Sequence, residues 1–333
     1  RTTGGGKPGC PLGPYNGPSP IYLETFIMPG TSKEEKMAVP VGLNIWSGLV
    51  GDTMPYLDAV GSPFESFWFP DHVQYGAKNV AEGWSLLAFA LARYPDKLQG
   101  HQVLCNSFRN PAHLAKAAAT CQILSGGRVV LGIGAGWNEE EYHAYGWPFP
   151  KTSVRAGELA EAIQICRLMW SQSPATFEGK HYQIREAYCH PHPSPPPPIM
   201  VGGMGEKFLL RVVAQHADWW NYIYTDRETY AHKQRVLKEH CQAVGRDYEE
   251  IVQVVASHIL VSESEADLAR MAAQPHVRPT TTNGFAGTPA QVIERLREAI
   301  DQGAHRINVA FADTPRLEST QLFIQEVLPH LST

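Results

Sequence analysis

From Val39 onward the chain alternates short apolar runs with longer amphipathic ones, and no other feature restricts its fold as tightly. Runs with the length and texture of strands are Val39 to Trp46, Glu65 to Phe69, Gln102 to Asn106, Val129 to Ile133, Ile199 to Gly202, Trp219 to Tyr222, Ile251 to Leu260 and Arg306 to Phe311. Helical periodicity falls at Trp84 to Ala92, Ala112 to Leu124, Val154 to Trp170, Lys207 to Gln215, Arg227 to Val244, Glu263 to Ala272, Pro289 to Gln302 and Leu317 to Leu331. Strands that are apolar almost throughout, each leading into a helix, belong to a parallel sheet covered by helices. Eight such units close most simply into an α/β (β/α)8 TIM barrel. A doubly wound open sheet is the other architecture, because the first helix, between Gly48 and Gly61, is short for a barrel.

Several helix starts carry capping chemistry. Thr288-Pro289-Ala290-Gln291 supplies a hydroxyl cap, a first-turn proline and a glutamine able to close a capping box, and Gly303 ends that helix. Ser262 with Glu265, Thr225 with Glu228, and Asn110 before Pro111 are read the same way. Ala175 to Pro198, ending in four prolines, is too proline-rich for helix and reads as an insertion between the fourth long helix and the fifth strand.

At 333 residues the chain has room for two domains or one large barrel, and the alternation selects one barrel over residues 37–333. Residues 1–36, rich in Gly and Pro and without periodicity, read as a disordered tail or foreign extension. A net charge of −5 gives no basic field for nucleic acid or an anionic membrane. No apolar run approaches a membrane span and the first residues do not resemble a secretory signal, so a cytoplasmic protein is expected. The six cysteines, without a CxxC pair, read as free thiols.

In a barrel the reactive groups sit where strands end. The second strand ends in Pro70-Asp71-His72, a carboxylate beside an imidazole, able to hold a cofactor donor and move a proton near neutral pH; a capping Asp71 with a surface His72 is the plain alternative. The third ends in Val103-Leu104-Cys105-Asn106, suited to backing a flat ring or to plain core packing. The fourth empties into Gly132-Ile133-Gly134-Ala135-Gly136-Trp137-Asn138, where absent β-carbons leave backbone against which a planar ligand can lie; simple chain reversal is the alternative. The fifth runs into Gly202-Gly203-Met204-Gly205 ahead of a helix, as an anionic group such as phosphate requires, or as a tight turn. In Asp218-Trp219-Trp220-Asn221 the aromatics serve equally as walls or barrel packing.

Three other chemistries are set aside. Trp137 occupies the position where a dinucleotide fingerprint needs glycine. His190-Pro191-His192 has no third metal ligand at suitable spacing and reads as exposed surface, so no metal is expected. Glu139-Glu140-Glu141, the one basis for a hydrolase, reads as the solvated, dipole-favoured first turn of a helix.

Taken in order, Ser66 to His72, Arg109 to Lys116, Leu124 to Arg128, Leu131 to Trp137, Tyr145 to Pro150 and Val201 to Gly203 resemble the luciferase-like monooxygenase family, most closely its deazaflavin-dependent branch, over about Val39 to Leu331. The resemblance implies a (β/α)8 barrel, commonly a homodimer, that binds coenzyme F420, or alternatively FMN, at the strand C-termini and performs oxidoreductase chemistry on a small organic substrate. A non-catalytic flavin-binding barrel is the alternative of another class. By position, Asp71 and His72 match the family's catalytic pair, and Asp71 also a cofactor contact. Val103 and Leu104 match the bulge behind the ring, often with a non-proline cis peptide, and Gly202, Gly203, Met204 and Gly205 match the phosphate loop; Gly134 and Asn138, on the glycine loop, are expected as further cofactor contacts. Trp137 departs from the sugar-phosphate dehydrogenase branch, which carries a catalytic glutamate there. Trp46, Trp137 and Trp220 are expected to keep water from the pocket.

Overall fold

The computed structural model describes residues 39–45, 51–277 and 284–331. The expectations for residues 1–36, Trp46, the first helix's start and Cys10 fall wholly or partly outside that range.

The strands are β1 (Val41–Asn44), β2 (Ser66–Phe69), β3 (Leu98–His101), β4 (Leu104–Cys105), β5 (Val129–Gly134), β6 (Ala175–Glu178), β7 (Gln183–Ala187), β8 (Ile199–Gly202), β9 (Trp219–Ile223), β10 (Val252–Val261), β11 (Gly284–Gly287) and β12 (Arg306–Phe311). The order β10-β12-β1-β2-β3-β5-β8-β9, with β9 pairing back onto β10, closes a barrel in which every pairing is parallel. This is the (β/α)8 barrel the alternation predicts, and all the strand C-termini therefore lie at one end. The helices are α1 (Thr53–Val60), α2 (Gly83–Arg93), α3 (Pro111–Leu124), α4 (Glu139–Ala144), α5 (Thr152–Ser171), α6 (Leu209–His216), α7 (Arg227–Val244), α8 (Glu265–Ala272), α9 (Pro289–Asp301) and α10 (Glu318–Glu326).

Strand parity divides the core. Trp68, Leu98, Val130, Met200, Trp219 and Val254 fill the barrel interior. Alternate residues on the same strands, among them Phe67, Val129, Val201, Trp220 and Val255, pack outward under the helices. Each such fully buried aliphatic or aromatic side chain contributes about 1.5–3 kcal/mol.

The third strand begins earlier than expected. Leu98–His101 pairs with β2, the Gln102–Val103 peptide is cis, and the chain re-enters the sheet as Leu104–Cys105 against Ile133 and Gly134. The charged and polar segment before Gln102 hides this strand from an apolar-run reading.

Two caps also shift. Ser264, not Ser262, caps α8 by accepting from Asp267 N, and Asp226, not Thr225, caps α7 by accepting from Thr229 N. Asn110 and the Thr288 capping box stand as expected. Within the expected insertion, β6 and β7 form an antiparallel hairpin anchored where Glu161 of α5 accepts from the amides of Lys180, His181 and Tyr182; the proline-rich stretch follows as irregular chain. His190 and His192 stack with centroids 5.1 Å apart. Cys105, Cys121, Cys166, Cys189 and Cys241 are free thiols. No helix among the described residues is long and apolar enough to cross a membrane.

Candidate active site

At the C-terminal end of the barrel the interior changes from apolar to polar. A β-carbon on Gly42 would meet Ser66 Oγ, Trp68 Nε1 and Asn308 Oδ1, which fixes the inward parity of β1, β2 and β12. From that layer Asn308 Nδ2 donates to Gln102 Oε1 at 2.6 Å, while its own buried Oδ1 has no hydrogen-bond partner. The next residue after Gln102, Val103, fits between two side-chain-free backbones. A β-carbon on Gly134 would lie 2.8 Å from Val103 Cγ2, and one on Gly202 would lie 2.9 Å from both Val103 methyls. One branched apolar side chain thus sits in the space vacated by two glycines.

The glycine loop after β5 does more internal packing than expected. A β-carbon on Gly132 would lie 1.8 Å from the carbonyl oxygen of His101, so that residue keeps β3 and β5 together. Gly136, at φ +76°, brings its α-carbon against Tyr142 Oη and Cys105 Sγ. The expectation of a bare floor along Gly132, Gly134 and Gly136 is therefore corrected, because protein atoms fill all three places, Val103 doing so at Gly134.

Beyond β2, Asp71 and His72 part company. Asp71 is buried, and its oxygens accept from Arg109 Nη1 and Nη2 at 2.6 and 2.7 Å and from Cys105 N at 2.8 Å. Burial pushes its carboxyl up, while Arg109 and the Cys105 amide pull it back. Arg109 also pairs with Glu82, which caps α2 by accepting from Trp84 N and Ser85 N. Burial opposes the Glu82 charge, but bonds from Ser85 and Arg109 prevail and hold it at about 2. The carboxylate expected to act with His72 is instead a clamp tying together the ends of β2, β4 and α2.

The carboxylate that does reach the imidazole is Glu141. Its Oε2 lies 2.9 Å from His72 Nδ1, and its Oε1 accepts from Val73 N at 2.8 Å and Gln74 N at 3.3 Å. Burial works against the charge of this 2% exposed residue, and the bonds from His72, Gln74 and Val73 outweigh it, so its pKa is lowered. The solvated-turn expectation holds for the exposed Glu139 and Glu140 and fails for Glu141, which α4 turns inward beside Tyr142. With Nδ1 committed to Glu141, His72 Nε2 has no protein hydrogen bond among the described residues.

Other expected contacts separate by parity. Val103 faces the mouth, but Leu104 packs outward among α3 and α5 residues, since adjacent positions on a strand face opposite sides. Trp220 is likewise an outer-core residue, fully buried, whose Nε1 donates to Gly203 O at 2.9 Å; it cannot wall the mouth. Met204 leans on the same outer core, leaving Gly203 and the exposed Gly205 as bare backbone ahead of α6. Asn138 is half-buried at the start of α4, its side chain making no capping bond. Trp137 stands 63% exposed, its ring 5.7 Å from that of His72. The glycine loops and His72 therefore form one connected rim, linked through the Gly134–Val103–Gly202 contact and the His72–Trp137 and His72–Glu141 contacts.

The rim thus carries an imidazole held by a carboxylate at one nitrogen and glycine-rich strand ends closed by Val103, at the end of the barrel where reactive groups sit. The luciferase-like monooxygenase model matches residues 58–283, and the chain belongs to that family. An F420-dependent glucose-6-phosphate dehydrogenase of Intrasporangium calvum is 34% identical over 177 residues, covering 50% of this chain and 52% of the relative. Another of that description from Amycolatopsis mediterranei is 28% identical over 282 residues, covering 80% of this chain and 83% of the relative. The chain thus spans about half the length of the first relative and most of the second. Among solved structures, an F420-dependent secondary alcohol dehydrogenase in complex with an F420-acetone adduct superposes with a TM-score of 0.77 at 17% identity, covering 89% of this chain and 100% of that one, a likeness of fold.

Proposed function

We propose that this chain is an oxidoreductase that moves a hydride between coenzyme F420 and a small organic substrate at the barrel mouth. The observation that carries the reading is the His72–Glu141 pair, 2.9 Å apart, on the same rim as the Val103 wedge between Gly134 and Gly202. The F420-dependent relatives support the cofactor.

The floor suits a flat ring: Val103, seated in the space that Gly134 and Gly202 leave, offers it one apolar surface. Gly203, Met204 and Gly205 would contribute backbone to the phosphate of the cofactor, and Asn138 a side-chain contact, while Asp71 acts through Arg109 and Cys105 to fix the strand ends. When bound, the deazaflavin would supply a carbon able to give or take a hydride.

The protein's share is proton handling and orientation. Glu141 accepts from Nδ1–H of His72, which leaves the Nε2 lone pair facing outward. An alcohol hydroxyl proton passes to Nε2 as its carbon is oxidised; in the reducing direction Nε2–H returns it to the forming oxygen. Such proton transfer is worth about 10²–10⁴ in rate.

FMN-dependent oxygenation is the second reading, favoured by the family description itself. Equilibrium titration of the purified protein with F420 and with FMN, followed by single-turnover reduction without oxygen, tests both. Tight F420 binding with hydride uptake supports the first; FMN binding with oxygen consumption replaces it. A homodimer acting in the cytoplasm belongs to the same reading through the family resemblance, and sedimentation would test the dimer.

A further inference from the structure

We infer that the substrate of this site is an uncharged organic molecule with an apolar body, seated against Trp137 and Tyr75 with its reacting oxygen toward His72 Nε2. The inference rests on the oxidoreductase reading and adds the class of substrate.

His72, Tyr75 and Trp137 contact one another pairwise, with ring centroids 5.2, 5.7 and 6.4 Å apart and planes at 67°, 84° and 65°. Three planes so steeply inclined make the walls of a corner rather than a stack. Trp137 leaves 63% of its surface in water, so its ring has area free to meet a ligand beside His72. A saturated or aromatic body of a few carbons would cover it and bury apolar area on the tyrosine as well.

The corner is held in advance. Glu141 fixes His72 and the two following amides. Tyr145 Oη donates to Val73 O at 3.1 Å, and its ring stacks on Trp147, which stacks on Phe108. Both sides of the corner, the loop after β2 and the start of α4, are thus braced by the same aromatic column.

Charge argues against an anionic substrate. Glu139, Glu140 and Glu141 open α4 directly after Trp137 and Asn138. The cation of Arg109 is consumed by Asp71 and Glu82. Among the described residues Lys78 is the cation placed on the corner, with Nζ 4.8 Å from the Tyr75 ring centroid. A phosphate brought beside three carboxylates would meet net repulsion.

The test uses the full chain with and without F420 and three probes: cyclohexanol, 2-propanol and glucose 6-phosphate. Saturation-transfer NMR reads binding without turnover, and steady-state rates read the loaded enzyme. The inference expects cyclohexanol to bind and glucose 6-phosphate to give no signal. Trp137→Ala should abolish the cyclohexanol signal and raise its KM at least tenfold, with a smaller change for 2-propanol, while Trp137→Phe recovers most of both. Equal cyclohexanol binding by wild type and Trp137→Ala overturns it, as does glucose 6-phosphate binding that Lys78→Ala removes. Cyclohexanol binding that depends on Trp137 without any F420 binding would instead defeat the oxidoreductase reading and leave the apolar corner standing.

Discussion

His72 and Glu141 stand 69 positions apart in the chain and meet at 2.9 Å, joining the loop after β2 to the first turn of the helix after β5. The contact settles which ring nitrogen is held by protein and which is open to a ligand. Under the proposed reading Glu141 is a positioning residue that acts through the imidazole.

Replacing Glu141 with Gln keeps an acceptor for the Val73 and Gln74 amides but removes the charge beside Nδ1. Turnover should fall on the order of tenfold or more, and Glu141→Ala should approach the 10²–10⁴ loss expected for His72→Ala. F420 affinity should change little in all three. A purely structural glutamate would instead lower stability while leaving kcat and its pH profile intact.

Asp71 should report on stability more than on proton transfer. Asp71→Asn leaves the Arg109 guanidinium short of its main partner in a buried place, and breaking such a pair costs about 3–5 kcal/mol. Urea unfolding measures the loss. A variant of native stability with abolished turnover would return Asp71 to a direct chemical role.

The Val103 wedge predicts non-additive substitutions. Gly134→Ala forces a methyl to within 2.8 Å of Val103 Cγ2, an overpacking expected to cost about 1–3 kcal/mol and to weaken cofactor binding. Val103→Ala in the same molecule should recover much of that loss, giving a positive coupling in a double-mutant cycle. Gly132→Ala should have no such rescue, because its obstacle is the His101 carbonyl.

His101, fully buried and stacked on Trp84, has its pKa pushed down by burial to about 3. A depressed native value means that the neutral ring's contribution is complete above the unfolded value of about 6.5 and is lost as pH falls from there toward 3. Over that window wild-type stability should fall by about 1.4 kcal/mol per pH unit more than that of His101→Phe, which keeps the stack without the titration. Denaturant midpoints at several pH values check the difference.

The barrel was legible because its evidence is periodic. Runs such as Val129 to Ile133 are apolar on both faces, Arg306 to Phe311 keeps one continuous apolar face, and the helices between strands begin with recognisable caps. The rim was legible only where a residue sits at a strand end, as with His72, Val103, Gly134 and Gly202. Glu141 was hidden because three consecutive glutamates look alike until a tertiary partner selects one; the buried Tyr142 beside it was the available hint. Arg109 was visible just before the Asn110 cap, but its partnership with Asp71 spans 38 positions and has no local signature. Leu104 and Trp220 were misplaced by one step of strand parity, which sets whether a side chain sees the mouth or the helices.

The approach of β3 to β5 at Gly132 leaves no room for even a methyl group between them. The upper barrel wall therefore has no slack to give when a new substrate is to be accommodated. Room for variation lies instead in the loops that follow β2 and β5, where Tyr75 and Trp137 can be exchanged without disturbing the wall beneath the His72 imidazole.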